Sequence, residues 1–267
     1  MDLTGALLLL LGGCLAGFLA GLFGVGGGII LVPVLLLYFQ SIGVSSLVAT
    51  HLTFGTSLFI VIFTSLSSAY QYSKNQLVIW KAVPFIGIAS VVGALVGAAI
   101  ASGLQGESLQ KFFAVVVAFA AVRLLSETRK PKDSATVNTS PIGLGGIGFV
   151  AGTISSLAGV GGGVFSVPMM CNFLKFPLKK ALGTSSATIV ITALAAATGY
   201  VVKGWGNVLL PSYTLGYVDY LHSIPVILGT IPLARLGAST AHKTSSKTLR
   251  RVYGIFLLVI ALKMFFF

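Results

Sequence analysis

The sequence predicts an all-α polytopic membrane protein made of two inverted repeats of about four transmembrane helices, each repeat with a glycine-broken or re-entrant half-helix. Composition is the first observation. The chain is 56% hydrophobic and 8% charged, against roughly 25% charged in a soluble domain, and its mean hydropathy is +1.01. The second is a repeated glycine run. Gly24-Val25-Gly26-Gly27-Gly28 precedes Ile29-Ile30-Leu31-Val32-Pro33, and Gly159-Val160-Gly161-Gly162-Gly163 precedes Val164-Phe165-Ser166-Val167-Pro168. The third is that corresponding loops of the two halves carry opposite charge bias.

Apolar stretches long enough to span, about 20 residues for a ~30 Å hydrocarbon core, run over 3–22, 44–70, 82–102, 108–125, 141–158, 181–201, 219–240 and 248–266. Two shorter pieces, 29–39 and 164–174, follow the glycine runs. At about 1.5 Å per residue each covers about half the hydrocarbon core. The sequence leaves open whether these pieces cross or re-enter. A polar, basic segment, Ser126 to Ser140, divides the chain into a first bundle (1–125), a linker (126–140) and a second bundle (141–267). Leu11-Gly12-Gly13-Cys14 resembles a lipoprotein cleavage box. However, Met1-Asp2 supplies no basic lead and the apolar sequence runs on past Cys14, so 3–22 reads as a retained first helix.

The net charge of +12 does not point to nucleic acid, because the basic residues lie in short loops between apolar spans, as topology signals do. Cys14 and Cys171 both sit in apolar stretches and imply no disulfide framework. The loop Gln40-Ser41-Ile42-Gly43 is uncharged, whereas its counterpart 175–180 carries Lys175, Lys179 and Lys180. Lys74 and Lys81 border the next loop, whereas the counterpart 203–218 carries only Lys203. Glu107 and Lys111 stand against His242, Lys243, Lys247, Arg250 and Arg251. With the basic linker in the cytoplasm, every Lys/Arg-rich loop falls inside, so the repeats are inverted and both termini lie outside.

A glycine break before a short helix exposes backbone N–H groups at a helix N-terminus, where the dipole favours anions. Glycine also allows positive φ and close approach of a ligand. The structural alternative is that Gly26, Gly27, Gly28, Gly161, Gly162 and Gly163 only permit close helix packing. Two runs, each before a half-length helix, favour the substrate-site reading. A dinucleotide fingerprint is excluded, because no βαβ context or acidic partner follows.

Thr50 and His51, and Thr184 and Ser185 in the second copy, fall early in the long helices after the breaks. Hydroxyls hold an oxyanion without permanent charge; they also bond back to helix carbonyls, which is the alternative role. His51 suits anion or proton binding or a neutral helix contact. Arg235 is the basic residue deepest in an apolar span, near enough to the cytoplasmic end to snorkel. Asp219 reads as the outer end of its span and Lys81 as a boundary residue.

The twin Gly-Val-Gly-Gly-Gly motifs with their Val-Pro sequels, Ala49-Thr50-His51, Gly183-Thr184-Ser185-Ser186-Ala187 and Leu249-Arg250-Arg251-Val252-Tyr253-Gly254 resemble the TauE/SafE sulfite exporter family over nearly the whole chain. The resemblance implies an inner-membrane permease for sulfite, sulfoacetate or related organosulfur anions. The glycine runs, Thr50, His51, Thr184 and Ser185 occupy its motif positions, whereas Arg235 matches none.

The expected function is therefore export of a small sulfur-containing anion by alternating access around a midplane site at the paired glycine loops. A passive anion channel and a proton-coupled importer of another organic anion are the alternatives. No cofactor or metal is called for. Three histidines and five acids leave little catalytic material, so the chain does not read as an enzyme. The partners are the substrate anion and lipid, not nucleic acid; homo-oligomerisation is left open.

Overall fold

The computed structural model describes residues 3–126 and 139–245, and Thr248, Arg251, Ile255, Leu258, Val259 and Leu262 beyond them. The helices are α1 (Leu3–Phe23), α2 (Gly28–Ser41), α3 (Ser46–Lys74), α4 (Val83–Gly103), α5 (Gly106–Ser126), α6 (Pro141–Ala158), α7 (Gly163–Phe173), α8 (Leu178–Gly204) and α9 (Tyr220–Lys243). Each expected span up to 219–240 is a helix, and the pieces 29–39 and 164–174 are the short helices α2 and α7. The expected span 248–266 and most of the linker lie outside the described residues. Six of the described helices, namely α1, α3, α4, α6, α8 and α9, are long and apolar enough to cross a membrane.

The loop between α8 and α9 differs from expectation. It holds a hairpin of β1 (Thr214–Leu215) and β2 (Val218–Asp219), paired antiparallel. Gly216, at φ +55°, supplies the positive φ that so tight a turn needs.

Packing is set by small residues. Gly13, Gly17 and Gly21 of α1 lie successively against the backbone of Val226, Thr230 and Ala234 of α9, so the two helices run in the same sense. Gly148 and Gly152 of α6 likewise meet Ile86 and Ser90 of α4. Between helices in lipid no hydrophobic gain is available, so such close backbone approach carries the association. In both cases the first helix of one half packs on the fourth helix of the other. The central helices run oppositely: Gly55 near the start of α3 meets Tyr200 near the end of α8, and Gly183 of α8 meets Tyr72 of α3.

The interior holds a band of buried hydroxyls beside an apolar core, and the outer surface is apolar. Thr53, Thr56, Ser57, Thr64, Ser65, Ser67 and Ser68 of α3 and Ser185, Ser186, Thr188 and Thr192 of α8 are buried. Leu8, Leu11, Leu15, Ile88, Leu194 and Leu228 are exposed, as suits helices that face lipid.

Close packing at Gly17 gives a sharp prediction. An added β-carbon there would stand 2.5 Å from the Thr230 carbonyl oxygen, a backbone atom that cannot turn aside. Gly17→Leu is expected to cost more than the about 1–3 kcal/mol of ordinary overpacking. Gly103, where an added β-carbon meets open space, should accept alanine unchanged. Thermal loss of the monodisperse size-exclusion peak checks both.

Candidate functional site

The two glycine runs meet. A β-carbon on Gly28 would lie 2.5 Å from Val160 Cα and 2.6 Å from Gly159 O, and one on Gly163 would lie 2.6 Å from both Gly24 O and Val25 Cα. Gly26 and Gly161 both press on the side chains of Val61 and Ile189. Every residue from Gly24 to Gly28 and from Gly159 to Gly163 is buried. Side chains cannot be placed at such a crossing, which is why these positions are glycine.

Four carbonyls at the two breaks are bonded to hydroxyls. Tyr72 OH donates to Gly21 O (2.7 Å) and Tyr200 OH to Ser156 O (2.9 Å), covering corresponding carbonyls at the ends of α1 and α6. Ser185 Oγ donates to Gly24 O (3.0 Å) and Ser57 Oγ to Gly159 O (2.8 Å). Each glycine run is thus held by a hydroxyl from the long helix of the other half.

The N–H donors that follow the breaks are open. Gly27 and Gly162, at φ +88° and +82°, are the N-caps of α2 and α7, and neither has a side-chain cap. The first intrahelical bonds come from Ile30 and Leu31 N–H to Gly27 O, and from Phe165 and Ser166 N–H to Gly162 O. Among the described residues, the N–H groups of Gly26 to Ile29 and of Gly161 to Val164 have no acceptor. Buried N–H groups are almost always paired, so these two adjoining sets at positive helix ends stand out as open donors. Two buried hydroxyls flank them without a partner. Ser65 Oγ lies 3.1 Å from where a Gly26 β-carbon would stand, and Ser155 Cβ lies 3.4 Å from that of Gly162.

The structure brings together Gly26, Gly27, Gly28, Gly161, Gly162, Gly163 and Ser185, the last by holding the Gly24 carbonyl and Ser166 Oγ (2.9 Å). The other named residues have contacts elsewhere. Thr50 Oγ1 accepts from Gln110 Nε2 (2.8 Å) and Thr184 Oγ1 from Ile79 N (3.0 Å), tying α3 and α8 to neighbouring segments. His51 Nε2 donates to Ala101 O (3.1 Å), near the end of α4, and its ring lies 5.2 Å from that of Tyr217. Arg235 is exposed, with its guanidinium 5.3 Å from the centre of the Tyr70 ring.

Sequence reasoning did not single out Ser57, Ser65, Tyr72, Ser155 or Tyr200. The one available signal was the polar stretch Thr64-Ser65-Leu66-Ser67-Ser68 inside an apolar span. Asp219 stands at one end of its span and caps the start of α9, but it is fully buried and paired with His222 (Nδ1 to Oδ2, 2.6 Å).

Helices that cross a membrane around a buried polar interior, two of them broken toward one point, define a membrane transporter. A sequence profile described as "Sulfite exporter TauE/SafE" matches residues 9–264, and the chain belongs to that family. Similar proteins include a probable membrane transporter protein of Haemophilus influenzae, 34% identical over 98% of this chain and 98% of its own. Another, from Methanocaldococcus jannaschii, is 30% identical over 94% of this chain and 95% of its own. A third is YunE of Bacillus subtilis, also a probable membrane transporter protein, 26% identical over 95% of both chains. No solved structure matches significantly.

The two kinds of serine should separate on mutation. Leaving the buried Ser65 hydroxyl unpaired costs about 1–3 kcal/mol, so Ser65→Ala should leave thermal stability unchanged or raised while weakening anion binding. Ser185→Ala strips a donor from Gly24 O and should lower stability by about 1 kcal/mol. Thermal shift with and without sulfite reads both effects.

Proposed function

We propose that the protein is a secondary transporter that exports small sulfur-containing anions such as sulfite or sulfoacetate. It would work by alternating access around the crossing of the two glycine runs. The observation that carries the reading is the set of unpaired N–H groups at the adjoining starts of α2 and α7. Open N–H groups at two helix N-termini suit an oxyanion. Backbone dipoles and hydroxyls hold it without a fixed full charge, so the anion can leave again.

The reading includes inverted repeats, with the chain in the plasma membrane, both termini outside and the linker in the cytoplasm. It is supported by opposite charge bias in corresponding loops, the opposed course of α3 and α8, and the exchanged pairings of α1 with α9 and α6 with α4. Rocking of one half against the other would open the crossing first to one side and then to the other. An inside-negative potential favours outward movement of an anion by ~2.3 kcal/mol per charge per 100 mV, so export needs no coupled ion. Proton-coupled movement is a second reading, favoured by the buried Asp219–His222 pair.

Purified protein in proteoliposomes should take up radiolabelled sulfite or sulfoacetate saturably. Gly27→Leu and Gly162→Leu should each reduce that flux at least about tenfold, since they crowd the donors and strain positions of positive φ. Flux that rises linearly without saturation would mark a channel. Absence of flux for both anions with folded protein would remove the substrate assignment.

A further inference from the structure

Asp219 and His222 form a buried pair at the start of α9 that the glycine crossing does not use. Asp219 is 0% and His222 3% exposed. Asp219 Oδ2 meets His222 Nδ1 at 2.6 Å, Asp219 Oδ1 accepts from His222 N at 2.8 Å, and Asp219 N donates to Thr56 Oγ1 at 2.9 Å. The His222 ring is boxed by Tyr38 and Phe39 of α2, with centroids at 5.1 Å and 6.3 Å, and by Tyr213 of the loop at 4.9 Å. Capping a helix requires none of this, since serine or asparagine caps as well. The chain has five acids in all, and a buried ionisable group in a membrane protein is expensive.

The titratable groups facing the pair are Tyr38 from α2 and Tyr213 from the loop. α3 brings Thr56, and α1 packs glycines against the later turns of α9. Among the described residues no lysine or arginine is ion-paired with Asp219. Burial, and then the Asp219 charge, hold the Tyr213 phenol above its ordinary range. With one proton shared across the short bond the pair is neutral overall. Without that proton a buried carboxylate stands beside a neutral imidazole with nothing to offset it. The proton belongs to the pair rather than to either residue.

The pair is joined to the crossing by a single element. α2 begins at the Gly27 cap, against Gly159 and Val160, and carries Tyr38 and Phe39 near its other end, against His222. A helix of 14 residues spans about 21 Å, so a shift of α2 that admits an anion at one end alters the box around His222 at the other. The electrostatic sign is fixed as well. An anion at the crossing and a bare carboxylate at the pair repel within one low-dielectric bundle, so the anion favours the protonated pair. Resting on the anion site proposed above, we propose that Asp219–His222 is a proton-binding site coupled through α2 to that site, so that anion and proton bind together. Coupling of this kind is reciprocal.

The test is the affinity of the purified full-length protein for sulfoacetate, by titration calorimetry from about pH 6 to about pH 8. Its acidic groups stay ionised throughout that range, so any slope belongs to the protein. In the wild type, affinity should rise as pH falls, by up to about tenfold per unit for one linked proton, and a pH dye should show proton uptake on binding. His222→Gln keeps the packing and Asp219→Asn keeps the helix cap; each should bind with affinity independent of pH. Either variant suffices, provided its size-exclusion profile matches the wild type. Equal wild-type affinity across the range, or a slope that survives in the variants, overturns the proton site and leaves the anion site standing. No binding of sulfoacetate or sulfite by the wild type at any pH removes the anion site, and the proton site with it.

Discussion

Two helix breaks inside a membrane protein leave carbonyls at one side of each gap and N–H groups at the other, and no water in the bilayer core can pair them. Here four of the carbonyls are closed by hydroxyls: Tyr72 and Tyr200 on the ends of α1 and α6, Ser185 and Ser57 on Gly24 and Gly159. The N–H side is left open at both breaks. Two helix N-termini point at the same place, and each brings the positive end of its dipole there.

Much of the surrounding fold serves to hold that crossing. Glycine stripes let α1 lie on α9 and α6 on α4 with backbones nearly touching, which ties each half to the other at the helix leading into a break. α3 and α8 run past the crossing in opposite directions, and each sends a serine to the glycine run of the opposite half. The halves are thus interlocked through polar bonds at the centre and small-residue packing at the flanks.

The helices were legible because apolar length and polar interruption are properties of contiguous sequence. The two glycine runs were legible for the same reason, since five neighbouring residues repeat as a block. What lay beyond reach was contact between distant positions. Thr50, His51, Thr184 and Ser185 stand side by side in aligned segments, yet only Ser185 turns to a glycine run. Thr50, His51 and Thr184 bond to Gln110, Ala101 and Ile79. A helix carries successive side chains to different faces, so adjacency in the motif says nothing of a shared target. Ser57 and Ser65 are single hydroxyls in a long serine- and threonine-rich helix, and nothing local distinguishes them from Ser67 or Ser68. His222 was hidden because its partners Tyr38, Phe39 and Tyr213 come from two other segments.

Selenite is the selenium congener of sulfite, and its heavy atom can be located directly. Anomalous diffraction at the selenium edge from crystals grown with selenite therefore tests whether the two breaks form one anion site. The account predicts a single peak between Gly26–Ile29 and Gly161–Val164, within hydrogen-bond reach of N–H groups from both runs. A peak confined to Arg235 or elsewhere on the surface, with the crossing empty, would contradict it.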